Sequence, residues 1–455
     1  MTVAPAVPAR TLPSPRPRYP GQLIVTLVRD KLAYFAEMAR CGDVSETRVG
    51  PQRIVLLNHP DDIRRVLVTE QRKFTKGRAI ERTKLLLGTG LLTSEGDFHL
   101  RQRRLVQPGL HRERLAGYAR VMADHTARML ARWDNGQVLD LHDAMMHLTL
   151  AIAGRTLFDV DVERDAREVG EALDLSLRLF RYSVLPFGTL LEYAPVGWIR
   201  QLRRARRQLD ALIARMIEER RREGRDRGDL LSMLLAAQDE GDGQGMTDRQ
   251  LRDEIVTLLL AGHETTANAL TWTCYLLAQH PEAAARLEAE ADAVLGDRLP
   301  SADDAPRLPY TRHVIAEGMR LYPPAWIVER LAREDFQAGG YRVAAGTIVY
   351  TSQYLVQRDP RWWPAPARFV PERWEDETAA AARPKFAYFP FGGGTRICVG
   401  EHFAWLEATL VLAAIARRWR MVYEEPLPPE PEALVTLRPR GGLRLRLVRR
   451  SGVSG

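Results

Sequence analysis

The chain has 455 residues, a formal net charge of +8 and 45% hydrophobic residues. That apolar fraction supports a packed core and excludes a disordered chain. The charge is modest for the length, arginine is spread throughout and no recognition motif accompanies it, so nucleic acid is not an expected partner, whereas a local basic patch for an acidic protein is compatible with it.

A chain of this length would by default hold two domains. No composition break divides it, however, and the signals below are scattered over most of it. The expectation is one large helical domain over residues 21–455, mainly α with small β-sheets, after a mobile Pro- and Arg-rich segment at 1–20. Cys41, Cys274 and Cys398 are too widely spaced for a disulfide framework or a paired-cysteine zinc site, which suits a reducing, cytoplasmic setting. The N-terminus lacks the apolar core of a signal peptide, and nothing approaches the ~20 apolar residues of a membrane span. A soluble protein is expected, taken as a monomer.

In chain order, an amphipathic helix is predicted over residues 21–41. Residues 45–49 and 53–57 read as strands of a hairpin turned at Gly50-Pro51. His59-Pro60-Asp61-Asp62 starts another helix. Residues 75–93 read as a glycine-containing loop, whose Lys76, Arg78, Arg82 and Lys84 are either solvated or placed to meet a ligand carboxylate. In the helix that follows Gly96, His99 and Arg103 are four apart and share one face, while Arg101 and Arg104 point the other way. A charged surface helix accounts for this as well as an anion-holding pair does. Residues 110–222 are mostly helical, with breaks at Asn135-Gly136, at 186–188 and at 195–197. Residues 177–198 are unusually apolar for so broken a region, and residues 239–245 form a polar loop.

Thr247-Asp248-Arg249-Gln250 has the form of a capping box and opens the longest helix, which Pro281 ends after His280. At 1.5 Å per residue it is roughly 50 Å long. Leu258, Ala261, Gly262 and Thr265 fall on one stripe. Its small side chains are unusual in mid-helix, where Gly262 costs about 1 kcal/mol relative to alanine. A helix–helix crossing would explain small residues, but not the adjacent carboxyl and hydroxyl of Glu264-Thr265. His263 lies off the stripe and reads as structural.

Glu317 and Arg320, at i and i+3, would alone be an ordinary surface pair worth a few tenths of a kcal/mol. Leu321-Tyr322-Pro323-Pro324 follows them, and Pro371-Glu372-Arg373-Trp374 lies downstream. Residues 325–328 and 340–350 are strand-like, and residues 434–439 look like the last hairpin. Between them, Phe391-Gly392-Gly393-Gly394-Thr395-Arg396-Ile397-Cys398-Val399-Gly400 puts one cysteine in a glycine loop. Glycines let the backbone approach a flat ligand closely. A thiolate metal ligand needs N–H donors or positive charge nearby, and Arg396 and the loop amides can supply them. An apolar helix follows, with its N-terminal end facing the sulfur.

Phe-x-x-Gly-x-Arg-x-Cys-x-Gly resembles the haem-binding loop of the cytochrome P-450 family, in which a cysteinate ligates the haem iron. The other signals are similar to that family in order and spacing over about residues 45–446. The resemblance implies the cytochrome P-450 fold, haem b held by Cys398, and a monooxygenase that uses O2 and two electrons to oxidise a lipophilic small molecule. It implies that Thr265 and Glu264 handle protons, and that His99, Arg103, Arg330 and Arg396 hold the haem propionates, although many relatives carry tryptophan where His99 stands. Ala261, Gly262, Phe391 and Gly400 also fall at cofactor-binding positions. It assigns Glu317, Arg320 and Arg373 to a buried triad that holds the cysteine loop, and Leu258, Ala325, Trp326, Ile327 and Val328 to the substrate chamber. Residues 177–198 correspond to lid helices over that chamber. No flavin or iron–sulfur motif occurs, so NAD(P)H electrons are expected through a separate ferredoxin or flavodoxin with its reductase, with Arg101 and Arg104 as docking candidates. A peroxide-driven peroxygenase would share the cysteine loop but usually lacks the Glu-Thr pair, and a haem sensor or carrier would need neither that pair nor an apolar chamber.

Overall fold

Helices dominate the computed structural model, which describes residues 11–159, 197–239 and 243–450. Most of the apolar stretch 177–198 lies outside the described residues, as do residues 1–10. The chain forms two compact units, each assembled from separated segments.

The first unit comprises residues 1–78, 325–368 and 378–397. Strands Val44–Val49 and Gln52–Leu57 form the expected antiparallel hairpin, with Gly50 at a positive φ of 59° where a side chain would be strained. Gln52–Leu57 pairs in parallel with Ile348–Thr351, which pairs antiparallel with Val328–Ala332, and Phe74–Lys76 closes the sheet. Apolar side chains of this sheet, among them Val55, Leu57 and Val349, bury against Ile63, Phe336 and Phe389. The helix expected over 21–41 is two, Gln22–Arg29 and Lys31–Ala39. Asp30 is extended between them, and its carboxylate caps the Ala33 N–H at 2.9 Å. Part of the segment expected to be mobile is docked: Leu12 is buried in the core, and the Pro13 carbonyl accepts from the Glu46 N–H at 2.8 Å.

The second unit comprises residues 79–324, 369–377 and 398–455. Its axis is the long helix Asp248–Gln279, where the capping box is complete: Thr247 Oγ1 accepts the Gln250 N–H and Gln250 Oε1 accepts the Thr247 N–H. It buries most of its residues, polar ones among them, as a helix at the centre of a bundle does. Helix Leu141–Phe158 packs along it, and helices Pro309–Leu321 and Glu401–Arg418 pack against it too. Thr149 ties the first of these to it by donating to the His263 carbonyl at 2.9 Å. A three-stranded sheet of Val138–Asp140, Arg444–Arg449 and Trp419–Val422 flanks the bundle.

Two expectations change here. The segment read as a loop at 75–93 contains helix Arg78–Leu87, because its glycines at 77 and 88 bound a run of helix formers rather than interrupting it. The hairpin of Pro431–Ala433 with Leu437–Pro439 exists, but Arg444–Arg449 follows it as the last strand.

Candidate functional site

In the first unit, residues 391–397 form a turn held by close backbone approach. Gly394 has φ +69°, and a Cβ there would lie 2.0 Å from the Leu67 carbonyl oxygen. The Thr395 N–H and hydroxyl both donate to Gln71 Oε1, at 3.0 and 2.9 Å. Phe391 and Arg396 are half-buried, as is Arg330 on strand Val328–Ala332. Of the expected chamber residues, Ala325, Ile327 and Val328 are half-buried. Trp326 instead belongs to the core: it is buried edge-on to Phe35, with ring centroids 6.0 Å apart. Residues 325–327 precede the strand rather than forming it.

Cys398 stands in the second unit, just ahead of helix Glu401–Arg418. Its side chain keeps exposed surface although protein atoms crowd it. Burial pushes its thiol up to about 11; the Gly400 amide, which donates to sulfur, and the Arg103 guanidinium oppose this, while Glu401 adds to it. Burial in turn lowers the Arg103 pKa, and Cys398 raises it. A thiol in that range stays protonated at neutral pH until a sulfur-binding metal displaces the proton. Among the described residues no cluster of three His, Cys, Asp or Glu could hold a metal. A porphyrin brings four nitrogen ligands of its own, so one thiolate with the Gly400 amide and Arg103 beside it fits haem.

His99 and Arg103 lie on helix Gly96–Val106, His99 buried and 3.4 Å from the Ser94 hydroxyl through Nδ1, Arg103 half-buried. Arg101 and Arg104, read as outward and available, are engaged within the unit. Arg101 donates to the Gln244 carbonyl at 2.9 Å, and Arg104 pairs with buried Asp239 at 2.9 Å. Both tie their helix to the polar loop, which weighs against a docking role.

Midway along the long helix, Ala261 is exposed just after buried Leu260, and Gly262 and Thr265 are half-buried. The stripe thus has an uncovered stretch, although Leu258 on it is buried. A Cβ on Gly262 would meet Ala153 and Leu157 only at 3.9 and 4.0 Å, ordinary contact distances. The neighbouring helix therefore does not require glycine, and a crossing does not explain it. The Thr265 hydroxyl donates to the Ala261 carbonyl at 2.8 Å. His263 is buried, with Nδ1 2.8 Å from the Leu259 carbonyl. Glu264 is buried and accepts from the Thr436 hydroxyl at 2.7 Å. Sequence reasoning missed that Glu264, Asn268 and Trp272 recur at i, i+4 and i+8, facing the hairpin strand. Asn268 donates to Thr436 at 3.1 Å and Trp272 to the Leu437 carbonyl at 3.0 Å.

Glu317, Arg320 and Arg373 come together in the second unit. Glu317 and Arg320 are fully buried, and Arg320 donates twice to Glu317 at 2.9 and 2.8 Å. Arg373 donates through Nε at 2.9 Å. The Val370 N–H and Trp374 Nε1, not anticipated from sequence, complete the shell at 3.0 Å each.

A helical bundle with a lone crowded thiol ahead of a helix, and a small-sided stretch in a long helix, define a haem-thiolate protein. The family model described as Cytochrome P450 matches residues 13–445, and the chain belongs to that family. It is 41% identical to cyclooctatin synthase of Streptomyces melanosporofaciens over 91% of each chain. It is 38% identical to pentalenene oxygenase of Streptomyces avermitilis, over 93% of this chain and 94% of that one. Its fold superposes on the crystal structure of the cytochrome P450DA heme domain with a TM-score of 0.87 at 26% identity, covering 97% of this chain and 98% of that one. The protein is a haem-thiolate monooxygenase that inserts one oxygen atom from O2 into a lipophilic small molecule. Its family uses redox partners, and no helix among the described residues is long and apolar enough to cross a membrane.

Proposed function

We propose that Cys398 is the sulfur ligand of the haem iron, that the substrate is a terpenoid, and that electrons arrive from a ferredoxin or flavodoxin with its reductase. The observation that carries this reading is the Cys398 thiol ahead of helix Glu401–Arg418, exposed where Cys274 is buried, with the Gly400 amide and Arg103 guanidinium acting on it. Such donors stabilise sulfur as an anion once the metal has displaced its proton. Bound haem supplies the activation of O2 and the transfer of one oxygen atom to carbon.

The chain's own residues do the rest. Arg103, His99, Arg330 and Arg396 hold the two propionates by charge-assisted hydrogen bonds. Ala261 and Gly262, exposed and half-buried, let a flat ligand approach the long helix, and Phe391 and Gly400 bracket the sulfur in sequence. Thr265 and Glu264 move protons: the hydroxyl now donated to the Ala261 carbonyl is the local donor, and the carboxyl replenishes it. Glu317, Arg320 and Arg373 fix the geometry behind the cysteine loop without taking part in the chemistry.

The names cyclooctatin synthase and pentalenene oxygenase support a terpenoid substrate. Leu258, Ala325, Ile327 and Val328 are apolar, which suits a hydrocarbon skeleton.

Titrating the holoenzyme with cyclic terpene hydrocarbons and with fatty acids, while watching the Soret band, tests the substrate class. A low- to high-spin shift with terpenes, and a hydroxylated product on adding NAD(P)H with ferredoxin and reductase, is expected. A shift with fatty acids alone overturns the terpenoid reading. Cys398→Ser should abolish the thiolate-type absorption of the reduced carbon monoxide complex.

A further inference from the structure

The buried carboxyl of Glu264 belongs to a row of polar groups. Thr436 donates to Glu264 Oε1 at 2.7 Å, Asn268 Nδ2 donates to the Thr436 oxygen at 3.1 Å, and Asn268 Oδ1 lies 3.1 Å from His142 Nε2. Glu264, Asn268 and Thr436 are buried, whereas His142 is half-buried. The row therefore runs from the residue beside Thr265 to a group that solvent reaches. It is also clamped: Trp272, one turn beyond Asn268, donates to the Leu437 carbonyl, and the Leu437 N–H donates to the Pro324 carbonyl, each at 3.0 Å.

Donor valence sets the direction of this row. An ionised carboxylate only accepts, so Thr436 gives its one proton to Glu264 and must accept from Asn268. That turns the Asn268 carbonyl towards His142, whose Nε2 must then carry a proton, as the neutral Nε2–H tautomer or as imidazolium. If Glu264 were protonated and donated to Thr436, every link would reverse: the amide would flip and His142 Nε2 would be bare. The ring thus senses the carboxyl through two residues.

We propose that His142, Asn268 and Thr436 are positioning residues for the proton-handling step: they hold Glu264 as an oriented acceptor beside Thr265 and couple its protonation to that of His142. The inference rests on the reading of Glu264 as the acid of the pair. Hydrogen-bond polarity passes along the row, not a proton, because an amide cannot hand one on without tautomerising. The groups acting on His142 are mixed. Burial, the largest, and Arg438 on the hairpin strand disfavour its cation; Asp140, the bond to Asn268 and Asp143 favour it, and the net pKa lies below the ordinary imidazole value.

Histidine NMR on the diamagnetic ferrous carbon monoxide holoenzyme tests the coupling, with the His142 signal assigned by its loss in His142→Gln. Glu264→Gln and Thr436→Val touch no atom of the ring, yet each should lower its pKa by about half a pH unit. Thr436→Ser, which keeps the hydroxyl, should restore it. The fraction of NAD(P)H electrons recovered in product should fall several-fold in Thr436→Val and recover in Thr436→Ser. An unmoved His142 titration in Thr436→Val, or a serine variant as impaired as the valine one, overturns the proposal. Should Thr436→Val fail to retain haem, the titration in Glu264→Gln decides alone. Unchanged electron recovery in Glu264→Gln would instead remove Glu264 from proton handling, an outcome separate from the fate of the row.

Discussion

Glu317 and Glu407 are both fully buried carboxyl groups of the second unit, on helices that pack against each other, and they have opposite surroundings. Glu317 receives five hydrogen bonds, from Arg320 twice, Arg373, the Val370 amide and Trp374. Neither oxygen of Glu407 has a hydrogen-bond partner among the described residues, and burial pushes its carboxyl well above the ordinary range. The Thr266 hydroxyl is near enough to lower that shift somewhat. It is directed to the Gly262 carbonyl at 3.5 Å, so it acts on Glu407 as a nearby dipole rather than as a hydrogen-bond donor. Equal burial thus accompanies a carboxyl ringed by donors in one place and a carboxyl with raised proton affinity in the other, and the number of donors makes the difference.

The sharpest way to break this comparison is Glu317→Gln, which leaves the buried Arg320 and the half-buried Arg373 guanidinium groups facing a neutral amide. A loss of about 3–5 kcal/mol is expected, read as a collapse of the denaturant midpoint and of haem retention. Arg373→Ala removes one cation and keeps the Arg320 fork, so about 2–3 kcal/mol should go in the same assay. Glu407→Gln should cost under about 1.5 kcal/mol at low pH, because an amide replaces a neutral acid of similar shape. Its effect is pH-dependent. The folded protein keeps the Glu407 proton above the unfolded pKa, so this group's contribution is complete below that value and is lost as pH rises towards the folded one. The glutamine variant, which cannot titrate, should gain on the native protein by up to about 1.4 kcal/mol per pH unit above pH ~4.5. Parallel stability–pH curves would show that Glu407 is ionised and partnered after all. The smallest effect is expected for Thr266→Val, a few tenths of a kcal/mol in stability with a further rise of the Glu407 pKa, read by infrared absorption of the carboxyl.

Much of the site was legible because its signals are local. Cys398 among glycines, the Ala261-Gly262 and Glu264-Thr265 steps, and Glu317 with Arg320 each occupy one turn or loop, where residue type and spacing already imply a shared face. The capping box at Thr247 and the Gly50 turn were legible for the same reason. The helix Arg78–Leu87 was not, because flanking glycines resemble a loop when it is unknown which ends they cap. Trp326 was placed in a chamber by its neighbours in sequence, whereas packing against Phe35 put it in the core.

The order of elements, the helical character and the chemistry of the thiol loop follow from the residues alone, since propensity, periodicity and valence act within a few positions. Tertiary structure alone decided that Glu407 is buried without a hydrogen-bond partner among the described residues, that Arg101 and Arg104 are engaged within their unit, and that Glu264 is linked to His142 through Thr436 and Asn268. Those properties depend on groups up to 172 residues apart, which no local pattern encodes. Proton affinity and hydrogen-bond direction are set by whatever packs nearest in space.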